Sequence, residues 1–169
     1  HKRFAVSLKG VQQDSTISDT FEQTTSGESL VKMDELDLIV GSGGVLSHAP
    51  RREQSARMLI DSFLPEGITQ LAVDSIFMMP QLGVLSTVHP KAAVEVFEKD
   101  CLIRLGTCVA PTGIQKEGNI VLKYEINYGD DCFSGELMSG EMKLIRIPHV
   151  WANASFMPGK GLDLGMGIN

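Results

Sequence analysis

The sequence predicts a mixed α/β fold: a β-turn-α-β unit on a buried parallel or mixed sheet, followed by an antiparallel β-hairpin or meander. Two observations carry this prediction. The apolar run 36–40 leads directly into the turn Gly41-Ser42-Gly43-Gly44, and a second short apolar run follows at 68–73. After residue 113 the hydrophobic residues instead alternate with polar ones, which is the period of a strand with one buried face.

The first half of the chain contains the elements of the β-turn-α-β unit. A nearly continuous apolar run such as 36–40 is typical of a strand buried on both faces. The residues after the glycine turn then form one helical face, with apolar side chains at positions i, i+3, i+4 and i+7: Ala56, Leu59, Ile60 and Phe63. Pro65-Glu66-Gly67 ends this helix. Two strands joined in this way are expected to be parallel, with a right-handed crossover.

Further along, the segment 80–88 fits no single element, His89-Pro90 predicts a helix start, and 102–109 predicts a strand. Residues 120–126 alternate, Asp130-Asp131 predicts a turn, and Glu136 to Ile147 are expected to return as one or two strands. We therefore divide the chain into an α/β subdomain of nucleotide-binding type (1–113), an antiparallel β region (114–157) and a glycine-rich tail (158–169).

The ends of the chain carry fewer signals. Phe4 to Leu8 is a short apolar run, and the polar segment 12–29 predicts a long exposed loop. The tail is expected to be ordered only if it docks on the rest of the protein. Because the sequence opens abruptly at His1-Lys2, without an initiator methionine, we expect it to be a piece of a longer chain.

Composition excludes several classes of protein. The net charge is −6 with a pI near 5.2, and no basic stripe is present, so a nucleic-acid partner is not expected. No apolar run approaches the roughly 20 residues of a membrane span, and no signal peptide is visible. The three cysteines match neither a metal site nor a disulfide framework, so we expect reduced structural thiols in a cytoplasmic protein. The oligomeric state stays open.

The glycine turn is the first candidate for a ligand site. Glycines let a ligand approach the backbone, and the alternative is a tight strand-to-helix turn without a ligand. The turn lacks the Gly-Lys-Ser/Thr of a P-loop, and Val45-Leu46 follows Gly44, so Leu46 stands where GxGxxG requires its third glycine. His48, just past the turn, is a second candidate, whereas Ser47 is expected to cap the helix and Arg51 and Arg52 to be solvated.

Asp74 is the third candidate, because ligands of open α/β sheets gather at the carboxyl ends of the strands. The alternative is that Asp74 or Ser75 caps the next helix. His149 and Trp151 are compatible with a surface anchor for a partner, although local packing is the favoured interpretation. No residue pattern predicts a catalytic nucleophile with its base, or a metal site.

Three segments together resemble a known family: residues 37–50 around the glycine turn, Ala72-Val73-Asp74-Ser75, and Met79-Pro80-Gln81-Leu82-Gly83-Val84-Leu85-Ser86. They are similar to the C-terminal part of the MutL proteins that accompany adenosylcobalamin-dependent glutamate mutase, which differ from the mismatch-repair proteins of that name. The family resembles ATPases of the actin, sugar kinase and Hsp70 superfamily, and its members are expected to act as chaperone-like reactivating factors for the mutase.

The resemblance implies that Gly41, Ser42, Gly43, Gly44, Val45 and His48 contact the adenosine moiety of ATP, with Asp74 as a polar cleft residue. The superfamily's Asp-x-Gly-x-Thr phosphate loops do not occur in these 169 residues. The resemblance therefore implies that ATP and Mg²⁺ are cofactors of the full-length protein only, and that the fragment alone does not hydrolyse ATP. The alternative function is a non-catalytic domain that docks on the mutase subunits through the β-rich half, Ile120 to Ile147.

Overall fold

The computed structural model describes residues 32–148 and 150–166. These residues form two compact units: the first comprises 32–65 and 69–108, and the second comprises 66–68 together with the described residues from 109 onward. The predictions for Phe4 to Leu8, for the loop 12–29, for His149 and for the last three residues of the tail lie outside the described residues. Within the described ranges, no helix combines the length and the apolar character that crossing a membrane requires.

The first unit begins with a 3₁₀ turn at Met33–Glu35 and the strand β1 at Leu38–Gly41. The helices α1 (Gly44–Ser47) and α2 (Arg52–Phe63) follow, and strand β2 (Gly67–Asp74) then pairs with β1 in parallel, Gly41 opposite Val73. The predicted β-turn-α-β unit is therefore confirmed. The single helix expected after the turn is divided into two, because Ala49-Pro50 interrupts it.

The predicted apolar face of α2 covers the sheet. Leu59 is buried with Ile39 of β1 and Leu71 of β2, and Ala56, Ile60 and Phe63 pack against this cluster. Burying a leucine or isoleucine side chain stabilises a fold by roughly 1.5–3 kcal/mol, so this one face fixes the helix on the sheet. Leu64 ends α2 in the left-handed conformation, with its N–H bonded to the carbonyl of Ile60.

The segment 80–88, which the sequence leaves unassigned, is the helix α3 (Met79–Ser86). The helix α4 (Pro90–Val96) starts after His89 as predicted, and a π-helical turn continues it to Cys101. Leu82, Ala93 and Cys101 form a small second core between these helices. Strand β3 (Leu102–Ala110) then joins the sheet in the order β1-β2-β3.

Strand β3 makes the first sheet mixed. The N–H of Ser75, just after the end of β2, bonds to the carbonyl of Cys101, just before the start of β3. The end of one strand therefore lies beside the beginning of the next, so β2 and β3 are antiparallel.

The second unit contains an antiparallel three-stranded sheet in the order β5-β4-β6. Strand β4 (Ile120–Tyr128) buries Leu122, Tyr124 and Ile126, as the alternating pattern predicts. The return strand β5 is Asp131–Met138, which confirms the predicted antiparallel hairpin. Of the span Glu136 to Ile147, only Glu136–Met138 are strand, and the prediction was wrong for the rest: pairing resumes at once after Gly129-Asp130, and residues 139–148 form no strand. Strand β6 (Asn153–Pro158), which the sequence did not predict, pairs with the other side of β4.

Two glycines in the second unit are required by packing. A Cβ atom at Gly135 would lie 2.7 Å from Cζ of the buried Tyr124, and one at Gly159 would lie 2.5 Å from the backbone oxygen of Ile120. Gly159 lies in the glycine-rich tail (158–169), whose Leu162 and Leu164 are buried. The described part of the tail therefore packs on the second unit, as expected for a tail that is ordered only when it docks.

Candidate functional site

The glycine turn lies where β1 passes into α1. Strand β1 ends at Gly41, Gly43 takes a positive φ of 114°, and α1 begins at Gly44. The carbonyl of Gly43 accepts hydrogen bonds from the N–H groups of Leu46 and Ser47, which closes the first helical turn. The turn therefore lies at the carboxyl end of β1, the edge where the sequence offers its candidate ligand residues.

The three glycines of the turn have different structural requirements. A Cβ at Gly41 would lie 2.7 Å from Leu46 Cδ1 and 2.9 Å from Leu59 Cδ2, so packing demands glycine there. Gly43 needs glycine for its backbone conformation. Gly44 needs it for neither reason, because it is the first residue of a helix and no atom lies within 4 Å of its would-be Cβ.

Asp74 connects the glycine turn to the end of β2. Ser42 Oγ donates to Asp74 Oδ2 at 3.3 Å, and Ser47 Oγ donates to the backbone carbonyl of Asp74. Both serines come from the segment after β1, and Asp74 ends the parallel neighbour of β1. The carboxyl ends of the two strands are thus joined through side chains as well as through the sheet.

The buried carboxylate of Asp74 also accepts backbone N–H groups at the start of α3 and in the loop before it. Met79, the first residue of α3, donates at 2.9 Å, and Ile76 donates at 3.4 Å. Burial alone would raise the pKa of Asp74, but hydrogen bonds from the N–H groups of Met79, Met78 and Ile76 and from Ser42 outweigh it and hold the pKa below its ordinary value. Neither Asp74 nor Ser75 is the N-cap of α3, which is Met78, but the Asp74 carboxylate accepts the N–H of Met79, the first residue of that helix.

The side chains after the glycine turn point in different directions. Val45 is exposed, and the exposed ring of His48 contacts the carbonyl of Gly44 through Nδ1 at 3.1 Å. Arg52 Nη1 donates to the carbonyl of Ser47, which satisfies the end of α1. Ser47 was expected to cap a helix start. It instead ends α1 and is buried against Asp74.

The sequence did not reveal the contacts of Ser42 and Ser47 with Asp74, since they join residues that are 32 and 27 positions apart. The predicted parallel strands could have indicated these contacts, because parallel strands bring the residues after both of their carboxyl ends together.

The interpretation that Trp151 packs locally was wrong: the residue is 99% exposed.

Cys101 lies near this connection and is buried. Burial, followed by the negative charges of Asp74 and Asp100, raises the pKa of its thiol. The thiol is therefore protonated at neutral pH and packs as an apolar group in the second core.

Comparison with protein families identifies the chain. The family model described as MutL protein matches residues 9–101, which include every residue of the candidate site and end before β3. Comparisons with curated proteins and with solved structures find no match. The family match indicates a role related to the accessory function of glutamate mutase. Since it spans more than half of the 169 residues, the chain belongs to the MutL family associated with glutamate mutase.

Proposed function

We propose that this chain supplies the adenosine side of the nucleotide cleft in an ATPase that reactivates an adenosylcobalamin-dependent mutase. In this role the turn from Gly41 to Gly44, together with Val45 and His48, contacts the nucleoside of ATP. ATP hydrolysis in the full-length protein would supply the free energy for a domain closure that acts on the mutase subunits.

The observation that carries the proposal is the open space at Gly44. Packing accounts for Gly41 and backbone conformation accounts for Gly43, but neither accounts for Gly44. Where neither packing nor backbone conformation requires glycine, alanine at a helical position would stabilise the fold by up to about 1 kcal/mol relative to glycine. A glycine that leaves the backbone open beside two strand ends is what close approach of a ligand requires.

The proposal assigns only the nucleoside to these residues. The helix after the turn has four residues, and within 32–148 and 150–166 no group of three or more His, Cys, Asp or Glu side chains is placed to hold a metal ion. The phosphates of ATP and the Mg²⁺ that accompanies them are therefore expected to bind other residues of the full-length protein.

Substitution of Gly44 tests the proposal. Gly44→Ala and Gly44→Val place side chains in open space, so we expect the alanine variant to be up to about 1 kcal/mol more stable and the valine variant to fold. We expect both to weaken ADP binding, Gly44→Val by at least about tenfold, because the added carbons occupy the volume of the ligand. Calorimetric titration with ADP and ATP turnover of the full-length protein measure this.

The matched control is Gly83→Ala. Gly83 is also an exposed helical glycine with no atom within 4 Å of its would-be Cβ, but it lies in α3. The Gly83→Ala variant should be stabilised like Gly44→Ala and should bind ADP with unchanged affinity. Unaltered ATP turnover in a folded Gly44→Val protein would contradict the proposed function.

A second candidate function is docking on the mutase through the second unit. It is favoured by an exposed apolar segment that precedes β6: Ile147, Val150 and the nearly fully exposed Trp151. Exposed tryptophans are enriched among residues that dominate protein interfaces. We expect Trp151→Ala to reduce retention of the full-length protein on immobilised mutase subunits by about tenfold or more. The exposed Ile114→Ala is the matched control, and equal retention of both variants would exclude Trp151 as an anchor.

A further inference from the structure

The loop between β2 and α3 contains a residue in an unusual conformation. Phe77 has a φ of +58°, in the left-handed region that disfavours large side chains, and the residue is 50% exposed. Its neighbour Met78 packs against the second core, as does Phe97, so the loop is held in place next to Phe77. Phe77 itself belongs to neither described core. A strained aromatic residue held open to solvent is the kind of feature that clusters at ligand sites.

Comparison with Leu64 shows that the strain at Phe77 is of a different kind. Leu64 is the other non-glycine residue with positive φ in the described ranges, and it is likewise exposed. Its conformation is that of a helix end, with the N–H bonded to the carbonyl of Ile60 at 2.8 Å. Phe77 instead precedes a helix, so no helix termination accounts for its φ.

Asp74 holds the Phe77 loop at the same sheet edge as the glycine turn. Its carboxylate accepts the N–H groups of Ile76 and Met79, on either side of Phe77, and the hydroxyl of Ser42 in the turn. Because β1 and β2 are parallel neighbours, with Gly41 opposite Val73, the two loops emerge side by side. One anchoring group thus sets the positions of an open glycine and an exposed aromatic ring.

We propose that Phe77 is the residue that recognises the base of the nucleotide, by stacking its ring on the flat face of a purine whose sugar lies over the glycine turn. This inference rests on the proposed nucleotide function and deepens it. An aromatic ring attracts any base through its π-face, and the larger face of a purine gains more contact than that of a pyrimidine. The strain at Phe77 keeps the ring available rather than packed.

The test compares ADP and UDP binding to the full-length protein by calorimetric titration. Phe77→Ala should weaken ADP binding by about tenfold, which corresponds to about 1.4 kcal/mol, and should reduce the preference for ADP over UDP. Phe77→Asn adds a variant that suits the left-handed conformation, so the loop keeps its shape without the ring. The matched control is Leu64→Asn, which makes the same substitution at the other non-glycine residue of positive φ in the described ranges and should leave ADP affinity within about twofold.

A spectroscopic variant reports on stacking directly. Trp151 is the single tryptophan of these 169 residues, so Phe77→Trp combined with Trp151→Phe places their only indole in the loop. ADP should quench its emission and bind with retained affinity, because tryptophan also offers a flat aromatic face.

The outcomes separate this inference from the proposed function. If wild-type protein binds ADP and Gly44→Val abolishes binding, but Phe77→Ala and Phe77→Asn bind ADP as tightly as wild type, the role of Phe77 is overturned and the proposed function stands. If wild-type protein binds no ADP at all, both are overturned.

Discussion

Replacement of Asp74 by alanine is expected to destabilise the first unit by about 3 kcal/mol at neutral pH. The carboxylate is buried and accepts hydrogen bonds from Ser42 Oγ and from the N–H groups of Ile76 and Met79. Alanine would leave these donors without their acceptor, and a lost hydrogen bond to a charged group costs roughly 1.5–3 kcal/mol. Asp74→Asn should cost less, because its amide oxygen still accepts one N–H.

This effect should depend on pH in a defined direction. The hydrogen bonds lower the folded-state pKa of Asp74 below its ordinary value of 3.8, so the ionised carboxylate stabilises the fold above that pH. The stabilisation is then lost as the pH falls through the lower folded-state pKa. The difference between wild type and Asp74→Ala should therefore be constant near neutrality and shrink below about pH 4.

Urea unfolding followed by circular dichroism at 222 nm measures this difference, since every α-helix of the described ranges lies in the first unit. The exposed Asp61, on α2, provides the control, and Asp61→Ala should change stability by no more than about 0.5 kcal/mol. Equal stability of Asp74→Ala and wild type at pH 7 would mean that Asp74 does not anchor the glycine turn and the Phe77 loop.

Replacement of Leu162 by alanine is expected to destabilise the second unit by about 2–5 kcal/mol. Leu162 is 2% exposed, and its Cδ2 lies 2.6 Å from the would-be Cβ of Gly113. Two backbone hydrogen bonds between Thr112 and Asp163, of 2.8 and 3.0 Å, hold the adjoining residue in place. The surrounding backbone cannot close the cavity that alanine leaves without breaking this bridge.

Hydrogen exchange of the β4, β5 and β6 amides, resolved by mass spectrometry, measures the effect in the second unit alone. Met166→Ala is the matched control, because this tail residue is 94% exposed and its loss should change protection little. Unchanged protection in Leu162→Ala would show that the tail does not contribute to the core of this unit.

Local pattern was enough to predict most of the elements. The apolar run before the glycine turn, the four-residue face of α2 and the alternation in β4 each follow from a periodicity that one element imposes on its own residues. The segment of α3 was not assigned, because Pro80 and Gly83 are poor helix formers and the acceptor for the N–H of Met79 is Asp74, five residues before the helix begins. Strand β6 was missed because its pairing with β4 depends on residues about 30 positions away.

The sequence by itself determined the fold class, the parallel β-turn-α-β unit and the glycine turn at its sheet edge, since these follow from hydrophobic period and turn chemistry. Only the tertiary structure shows which glycine of the turn could carry a side chain without a clash. The packing of Leu46 and Leu59 excludes a Cβ at Gly41, whereas the space at Gly44 is open. The tertiary structure also decided that Asp74 joins the turn to the strained loop of Phe77, since hydrogen bonds between distant residues leave no periodic signal in a sequence.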